Sequence, residues 1–475
     1  MNNINKEQFA ELDKLAWHIV CNWHKDVNFD PIYDEIDFSL LTRSLFRTYV
    51  GRAIRKKYGV AGLDKEFSSS IATTVYQKGS VLKRLVHSFR TYLRLKNNRL
   101  KKVCYVPQYA RPISSLCSEL FVDNDFLCVT RDTYKANKFI YPVKVKSPVD
   151  FIDRLFDAFC SSLKKRELSI DEESLELLKS EISQLGTMYA VAHRELEVIQ
   201  PDVILLYNDE ALPQMCYVLI AKQMGIKTVC LQHGLACERF YLDEPYADLL
   251  LLWGCYSENR YLQSKNMFKS LFKVVGNPEY DYLDFSDCGH AKEESWLWVT
   301  RPHTPDKCYS PSRSESEGID ILNAILDALE KFPAERLIIK PHPYDYVELY
   351  KNIILKRNMN DRAVIVSDKL PIELFDGAKV VLSEDSTAGL EAVLYKKKLI
   401  HVNFSSQPAI LPFADYKVGL LAENSQDLYI QLDKVLNKGY TCCESDIEIF
   451  IKDFLCLLTG STERCLKEFK DFILS

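Results

Sequence analysis

Residues 379–392 have the sequence KVVLSEDSTAGLEA, and this stretch decides the fold that we predict. Its first residues, Lys379 to Leu382, form a short run dominated by valine and leucine, which is typical of a buried parallel strand. Serine and threonine follow, which favour a helix start, and an apolar pattern continues from Ala388. Strand, polar turn and helix in this order form the unit of an α/β sheet.

The same alternation of apolar runs and helical segments extends in both directions along the chain. We predict strands at 103–106, 126–130, 203–207, 228–231, 249–253 and 273–275, and then at 296–299, 336–340, 363–366, 379–382 and 399–402. Predicted helices lie near 149–165, 171–198, 211–224, 257–266 and 316–331. Two successive α/β units predict two Rossmann-like, doubly wound domains with a cleft between them.

The predicted domain organisation has four parts. Residues 1–100 form a helical, basic N-terminal extension, and residues 101–284 form the first Rossmann-like domain. A polar linker that contains Gly289 leads to the second Rossmann-like domain, residues 295–440. Residues 441–475 form C-terminal helices.

Composition excludes several classes of protein. The chain has 475 residues, of which 47% are hydrophobic and 27% charged, and a net charge of −5, so it is globular and not a dedicated nucleic-acid binder. No run approaches a membrane span, and the first residues lack a signal peptide's order, which predicts a cytoplasmic protein. The 15 cysteines are scattered without a C-x-x-C pair, which predicts reduced thiols and no metal site.

The positive charge is concentrated near the N-terminus. Residues 41–102 contain 16 Lys and Arg against two acids, and residues 81–102 contain eight basic side chains and no acid. Leu82, Leu85 and Phe89 recur at helical spacing there, which predicts an amphipathic basic helix. This helix either binds an anionic partner or is a solvated helix packed on its domain.

Four strand ends carry side chains suited to binding or catalysis, because ligands of open α/β sheets lie beyond the carboxyl ends of the strands. The first is Gln232-His233-Gly234, where glycine would permit a tight turn and the other two provide hydrogen bonds or proton transfer. The second is Lys340-Pro341-His342-Pro343, a cation and a histidine between rigid prolines, suited to a phosphate or carboxylate.

The other two strand ends also suit an anion. Ser386 and Thr387 stand at a helix N-terminus, whose N–H groups and dipole attract phosphate, and Glu391 lies one turn further, where it could face a ribose. Arg301 could clamp a second phosphate oxygen. A serine before a helix is often only an N-cap, and a lone histidine is often scaffolding, but the convergence of these strand ends favours a site.

The order of these motifs resembles that of bacterial GT-B glycosyltransferases of surface polysaccharide synthesis. The resemblance rests on QHG, on Gly276-Asn277-Pro278 with Asp281, on KPHP and on the S-x-D-S-T helix start, across about residues 200–405. In these motifs the chain is similar to capsular and O-antigen Kdo transferases, polysialyltransferases and CDP-glycerol glycerophosphotransferases. The resemblance implies a CMP donor held in the second domain by His342, Ser386 and Thr387, with Gln232, His233 and Gly234 of the acceptor-side first domain facing the transferred group. Asn277 and Pro278 are expected to lie in the cleft between the domains.

We therefore expect a metal-independent GT-B-like glycosyltransferase with no cofactor beyond its nucleotide-sugar substrate. Helix N-termini and cations, among them Lys340 and Arg301, would stabilise the departing phosphate. Asp209 and Glu210 follow a predicted strand of the first half and are candidates for base or nucleophile, with His233 as the next candidate. Both acids would also suit the start of a helix near Ala211.

The expected partners are a nucleotide-sugar donor, a glycan or lipid-linked glycan acceptor and an anionic membrane surface at the inner face of the cell membrane. Two other classes stay open at this point. A sugar-nucleotide 2-epimerase also uses two α/β domains and histidines at strand ends. A two-domain ligand-binding protein is the non-enzyme alternative, which the cysteine content and the missing export signal disfavour.

Overall fold

The computed structural model describes residues 6–59, 100–130, 147–235, 244–263, 270–283, 285, 294–301, 315–343, 345, 347–405 and 409–475. The predicted basic helix within residues 81–102 lies almost wholly outside this part of the chain. Within the described residues, no helix combines the length and the apolar character needed to cross a membrane.

The N-terminal residues form a helical layer that packs on the first domain. It comprises α1 (Lys6–Asp26), the short paired strands β1 (Ile32–Tyr33) and β2 (Ile36–Asp37), α2 (Phe38–Leu41) and α3 (Arg43–Lys57). Trp23 of α1 is fully buried, and its ring lies 5.4 Å from that of Phe46 and 5.7 Å from that of Phe159. The layer therefore shares the hydrophobic core of the first domain.

The first domain contains a sheet of six parallel strands in the order β4-β3-β5-β6-β7-β8. These strands are β3 (Lys102–Val106), β4 (Phe126–Thr130), β5 (Val203–Leu206), β6 (Lys227–Leu231), β7 (Leu249–Leu252) and β8 (Leu271–Val274). Its helices are α4 (Ser114–Val122), α5 (Val149–Lys165), α6 (Glu172–Ile199), α7 (Gln214–Met224) and α8 (Cys255–Leu262). All the residues of β4, β5 and β7 are buried, as expected for parallel strands covered on both faces.

The second domain also contains six parallel strands, in the order β11-β10-β9-β12-β13-β14. They are β9 (Ser295–Val299), β10 (Leu337–Lys340), β11 (Ala363–Ile365), β12 (Ala378–Ser383), β13 (Leu399–Val402) and β14 (Leu420–Ala422). Its helices are α9 (Glu315–Lys331), α10 (Val347–Lys356), α11 (Thr387–Leu394) and α12 (Ser425–Asn437). Counted along the chain this order is 3-2-1-4-5-6, the dinucleotide-binding Rossmann order.

The last two helices are α13 (Glu444–Leu455) and α14 (Ser461–Leu474), and α14 returns to the first domain. Its Phe469 ring lies 5.3 Å from that of Phe126. The Asp281 carboxylate caps α14 by accepting hydrogen bonds from the N–H groups of Ser461, at 2.8 Å, and Thr462, at 2.7 Å. Gly276 is needed beside this cap, because its φ is +86° and an added Cβ would lie 2.4 Å from Ser461 Oγ.

The predicted fold class is confirmed: the chain is an α/β protein with two Rossmann-like parallel sheets and an N-terminal helical layer. Helix α7 begins at Gln214 and not near residue 211, because Pro213 disfavours helical backbone in the residue before it. Strand β14 was not predicted. The limits of the four predicted domains stay predictions, since most of the linker lies outside the described residues.

Candidate functional site

A cleft with a volume of about 560 Å³ lies between the carboxyl ends of the two sheets. Both domains contribute to its walls. The predicted site residues that line it are Asp209, Glu210, Gln232, His233, Gly234, Arg301, Lys340, His342, Pro343, Ser386, Thr387 and Glu391. The structure thus brings together residues from both halves that the sequence selected separately, while their roles stay predictions.

The start of helix α11 faces the first domain across the cleft. Ser386 is its N-cap, with an oxygen Oγ that accepts a hydrogen bond from the N–H of Ala388 at 3.2 Å. The N–H of Leu235, from the other domain, donates to Thr387 Oγ1 at 3.5 Å. The dipole of the helix and the N–H groups of its first turn make this terminus suitable for phosphate.

A buried carboxylate holds the turn before α11 in place. Asp385 Oδ1 accepts hydrogen bonds from the N–H groups of Ile410, at 3.0 Å, and Leu411, at 2.8 Å, and lies 3.2 Å from His401 Nε2. Burial opposes ionisation, but the neighbouring His401 imidazole and the hydrogen bonds from these N–H groups lower the pKa of Asp385 overall. The aspartate of the S-x-D-S-T motif is therefore structural, a role that sequence reasoning did not assign to it.

The strand ends that carry Arg301 and His342 are tied together by a hydrogen-bond network. The N–H of His342 donates to Thr300 Oγ1 at 2.9 Å, and Thr300 in turn donates to Asp345 Oδ2 at 2.5 Å. The Tyr350 hydroxyl donates to the same carboxylate oxygen at 2.8 Å. Sequence reasoning missed Asp345 and Tyr350, and only the proximity of Asp345 to KPHP could have indicated it.

The two cations that were predicted as site residues, Arg301 and Lys340, are both buried at the cleft wall, and each is 8% exposed. Lys340 Nζ donates to the carbonyl oxygens of Pro341, at 3.0 Å, and Ser367, at 3.4 Å. Burial lowers the pKa of Lys340, and the negative charge of Asp368 opposes this shift. These contacts give Lys340 a part in fixing its own strand end, besides the positive charge that it adds to the wall.

Glu391 provides a carboxyl group on the second-domain side of the cleft. It lies on α11 one turn after Thr387, and the hydroxyl of Tyr280, from the first domain, donates to its Oε1 at 3.3 Å. Burial raises the pKa of Glu391 to about 7, while the Tyr280 hydrogen bond lowers it. This carboxyl is consequently both protonated and ionised in comparable amounts near neutral pH.

The residues after β6 form the first-domain wall. Gln232 is fixed by three hydrogen bonds, because its Nε2 donates to Gly234 O at 2.7 Å and Ser257 Oγ at 2.9 Å, while its Oε1 accepts from the N–H of Trp253 at 2.8 Å. The Gly234 φ is not positive, and an added Cβ would meet only Thr387 Oγ1, at 3.7 Å. The turn therefore does not require the conformational freedom of glycine, and the placement of Gly234 toward the transferred group stays a prediction.

His233 lies beside Gln232 and its side chain is exposed to the cleft. The ring of Tyr207 stands edge-on to it, with the centroids 5.8 Å apart. Desolvation by the surrounding protein lowers the pKa of His233. Its imidazole is thus neutral at neutral pH, the form in which it can accept a proton.

The two candidate acids after β5 differ in their surroundings. Asp209 is buried, and its Oδ2 accepts hydrogen bonds from the N–H groups of Tyr246 and Ala247, both at 2.7 Å. Burial raises the pKa of Asp209, and these N–H groups oppose the shift. Glu210 is less buried and lines both the cleft and a small crevice beside Arg43 and Arg47 of α3. Asp209 is thus engaged by backbone N–H groups, while the role of either acid stays a prediction.

Asn277 and Pro278 were predicted to lie in the cleft, but neither is among the described residues that line it. Asn277 Oδ1 instead accepts a hydrogen bond from the N–H of Glu279 at 3.0 Å and so starts the 3₁₀ turn Pro278–Tyr282. This motif shapes the segment that anchors α14. Within the described part of the chain, no group of three or more His, Cys, Asp or Glu side chains is arranged to hold a metal ion.

Comparisons with known proteins identify one matching family model and a set of similar solved structures. Residues 309–403 match the family model described as capsule polysaccharide biosynthesis protein. No curated protein matches the chain by sequence.

The similar solved structures include both epimerases and transferases. The S. aureus MnaA–UDP complex is 13% identical, with a TM-score of 0.49 over 79% of this chain and 97% of that one. UDP-GlcNAc 2-epimerase from Neisseria meningitidis is 14% identical, with a TM-score of 0.49 over 79% and 100%. A glycosyltransferase from Rickettsia africae is 12% identical, with a TM-score of 0.45 over 79% and 99%. Resemblances this distant do not assign a reaction.

Proposed function

We propose that the protein is a metal-independent, GT-B-like glycosyltransferase that acts in the synthesis of a bacterial surface polysaccharide. The observation that carries the proposal is that one cleft brings together groups of both domains. Two cations and a helix N-terminus of the second domain face a histidine and a carboxylate of the first. The family match of residues 309–403, which include the Lys340 and Ser386 strand ends, supports the polysaccharide class. The donor that we propose carries CMP, linked to Kdo or to a sialic-acid-like sugar.

In this proposal the second domain binds the donor nucleotide and stabilises the phosphate as it departs. The N–H groups at the start of α11 and the hydroxyls of Ser386 and Thr387 receive the phosphate oxygens. Arg301, Lys340 and His342 add positive charge or hydrogen bonds where negative charge develops. Glu391 receives the ribose hydroxyls.

The first domain in this proposal binds the acceptor glycan and removes the proton from its attacking hydroxyl. Glu210 and His233 are the two groups suited to this step, because both reach the cleft and Asp209 is engaged by backbone. The lowered pKa of His233 keeps its imidazole in the basic form at neutral pH.

The first experiment is a thermal-shift panel of CMP, CDP and UDP, since a ligand that binds only the native state raises the melting temperature. We expect CMP to give the largest shift, and a shift with UDP alone would overturn the cytidine assignment. Turnover is then measured as CMP release from CMP-Kdo and CMP-sialic acid with glycan acceptors, in the presence of EDTA to test independence from metal.

The same assay separates the alternatives. Conversion of UDP-GlcNAc alone into an isomer would identify a 2-epimerase, and CMP release from CDP-glycerol would identify a glycerophosphotransferase. Ligand binding without turnover of any donor would favour a binding protein.

We also propose that the enzyme meets a lipid-linked acceptor at the inner face of the membrane. The argument is the basic sequence 83–102, in which each Lys or Arg near an anionic leaflet contributes on the order of 1 kcal/mol. The test is co-sedimentation with anionic and neutral liposomes. Binding to anionic vesicles should fall with added salt, and equal binding to both kinds of vesicle would overturn this part of the proposal.

A further inference from the structure

We infer that Tyr280 of the first domain is a positioning residue, which orients the Glu391 carboxyl of the second domain toward the ribose hydroxyls of the donor nucleotide. The inference rests on the proposed function, because it takes the cleft to be a nucleotide site. It adds a residue outside the cleft lining to the donor site, and it makes that site depend on both domains.

The position of the Tyr280 hydroxyl is fixed by packing. The residue is 2% exposed, and its ring centroid lies 6.1 Å from that of Trp253 and 5.7 Å from that of Phe285. A buried tyrosine hydroxyl normally needs a hydrogen-bond partner, and here the partner is Glu391 Oε1 at 3.3 Å. The phenol can therefore direct the carboxyl without moving itself.

The turn that carries Tyr280 is anchored at three neighbouring residues. Asn277 caps its start, and Asp281 holds the N-terminus of α14. Arg111 Nε lies 2.9 Å from Glu279 Oε1, which ties the turn to the residues that follow β3. Tyr280 thus lies on a segment anchored to the first domain, and its ring belongs to a hydrophobic cluster that includes Leu390 of the helix that carries Glu391.

The spacing along α11 matches a nucleoside phosphate. Glu391 follows Thr387 by four residues, and both line the cleft on the same face of the helix. Four residues of α-helix rise about 6 Å, which is comparable with the distance from the 5′-phosphate to the ribose hydroxyls. With Oε1 occupied by the Tyr280 hydroxyl, Oε2 is the oxygen available to accept a ribose hydroxyl.

The charge state of Glu391 gives this arrangement a measurable signature. Three groups of the first domain act on its pKa of about 7: the Tyr280 hydrogen bond and the Arg111 charge lower it, and the Glu279 charge raises it. Only the ionised carboxylate accepts hydrogen bonds through both oxygens. Loss of the phenol should raise this pKa, so that less carboxylate is present at pH 7.

The experiment compares CMP with 2′,3′-dideoxy-CMP as probes of the wild type and of Tyr280→Phe, by calorimetry from pH 6 to pH 8.5. Taking the ratio of the two affinities cancels the titration of the phosphate, which both probes share. We expect the wild type to prefer CMP increasingly as the pH rises through about 7. Tyr280→Phe should lower this preference on the order of threefold to tenfold at pH 7, the effect of one hydrogen bond, and move its midpoint to higher pH.

Two further variants complete the test. Tyr282→Phe is the matched control, since Tyr282 lies on the same turn and is 72% exposed, and it should behave as the wild type. Glu391→Ala, which removes the hydrogen-bond acceptor, should lose the CMP preference with its pH dependence, and adding Tyr280→Phe to it should change nothing more.

The outcomes distinguish this inference from the proposed function. If the wild type binds no nucleotide, both fail. If it binds CMP but Tyr280→Phe weakens CMP and dideoxy-CMP equally, or neither, only the positioning role of Tyr280 is overturned. If Tyr280→Phe fails to fold, an unchanged CMP preference in Glu391→Ala overturns the inference instead.

Discussion

The two sheets have the same number of strands, but their strand orders differ, and so does the use of polar side chains at their carboxyl ends. Counted along the chain, the second sheet has the order 3-2-1-4-5-6 and the first has 2-1-3-4-5-6. In such sheets the ligand lies where the order reverses. In the second sheet that point is between β9 and β12, which places Arg301 beside Ser386 and Thr387.

In the first sheet the order reverses between β3 and β5, where Asn208, Asp209 and Glu210 follow the strand. Most polar groups there are engaged by their own chain. Asn208 Oδ1 accepts hydrogen bonds from the N–H groups of Glu210, at 2.9 Å, and Ala211, at 2.6 Å, while Asp209 binds two backbone N–H groups. The difference fits the proposed function, in which the second domain binds the charged donor and the first removes a proton from the acceptor.

The variants Glu210→Gln and Asp209→Asn test most strongly whether the two acids of the first domain have different roles. If Glu210 is the base, its amide should lower turnover about 100-fold or more with little change in CMP affinity, because general base catalysis contributes about that much. Asp209→Asn should instead lower the melting temperature, since an amide accepts the two N–H groups less strongly. The measurements are CMP release with acceptor and thermal unfolding.

If Glu210→Gln has normal turnover, His233 becomes the candidate general base. In that case His233→Gln should abolish turnover, and the wild-type rate should fall only below the ordinary pH range of histidine, because the His233 pKa is lowered.

On the second-domain side, His342→Ala should weaken CMP binding roughly 10- to 100-fold, the effect of a hydrogen bond to a charged group. The fold should persist, because the network around this strand end uses the backbone N–H of His342, which alanine retains. His18→Ala is the control, since His18 is exposed on α1. Calorimetry with CMP measures both, and unchanged affinity in His342→Ala would reduce His342 to scaffolding.

Asp385→Asn tests whether the turn before the anion site is held by charge. At neutral pH the variant should be less stable than the wild type by about 2 kcal/mol, from lost charge-assisted hydrogen bonds. The Asp385 pKa is lowered in the folded state, so its contribution is present above the ordinary range of aspartate and is lost as the pH falls through the folded value.

The gap in unfolding free energy between wild type and Asp385→Asn should therefore close on acidification. Denaturant unfolding at a series of pH values measures it, with the exposed Asp361→Asn as a control. A gap that stays constant with pH would show that the pair with His401 adds no pH-dependent stability.

Sequence patterns predicted the elements that depend on neighbours along the chain. Continuous apolar runs such as Leu249 to Leu252 identify buried strands, while β14 was not predicted. The site residues at strand ends were predictable, because parallel strands bring their carboxyl ends to one edge.

The contacts that hold the site were not predictable in the same way. Asp281 caps a helix that starts 180 residues later, and Tyr280 meets Glu391 from the other domain. Nothing local marks such residues, since an aspartate or tyrosine in a polar turn is common. The glycine-asparagine-proline motif misled for this reason: its residues shape a turn whose partners are distant in sequence.

The smallest effect that we predict concerns Tyr350, whose hydroxyl donates to Asp345 and so supports the strand end of His342. Tyr350→Phe keeps the ring, which is 1% exposed and packs 5.4 Å from Trp298, and removes the hydroxyl that donates to the Asp345 carboxylate. The loss of one such bond should weaken CMP binding about twofold to tenfold, because Asp345 still accepts from Thr300. Tyr429→Phe, at a 36% exposed tyrosine of α12, is the matched control. If CMP affinity is unchanged while turnover falls, the network serves the first-domain chemistry, and the division between the two sides of the cleft is wrong.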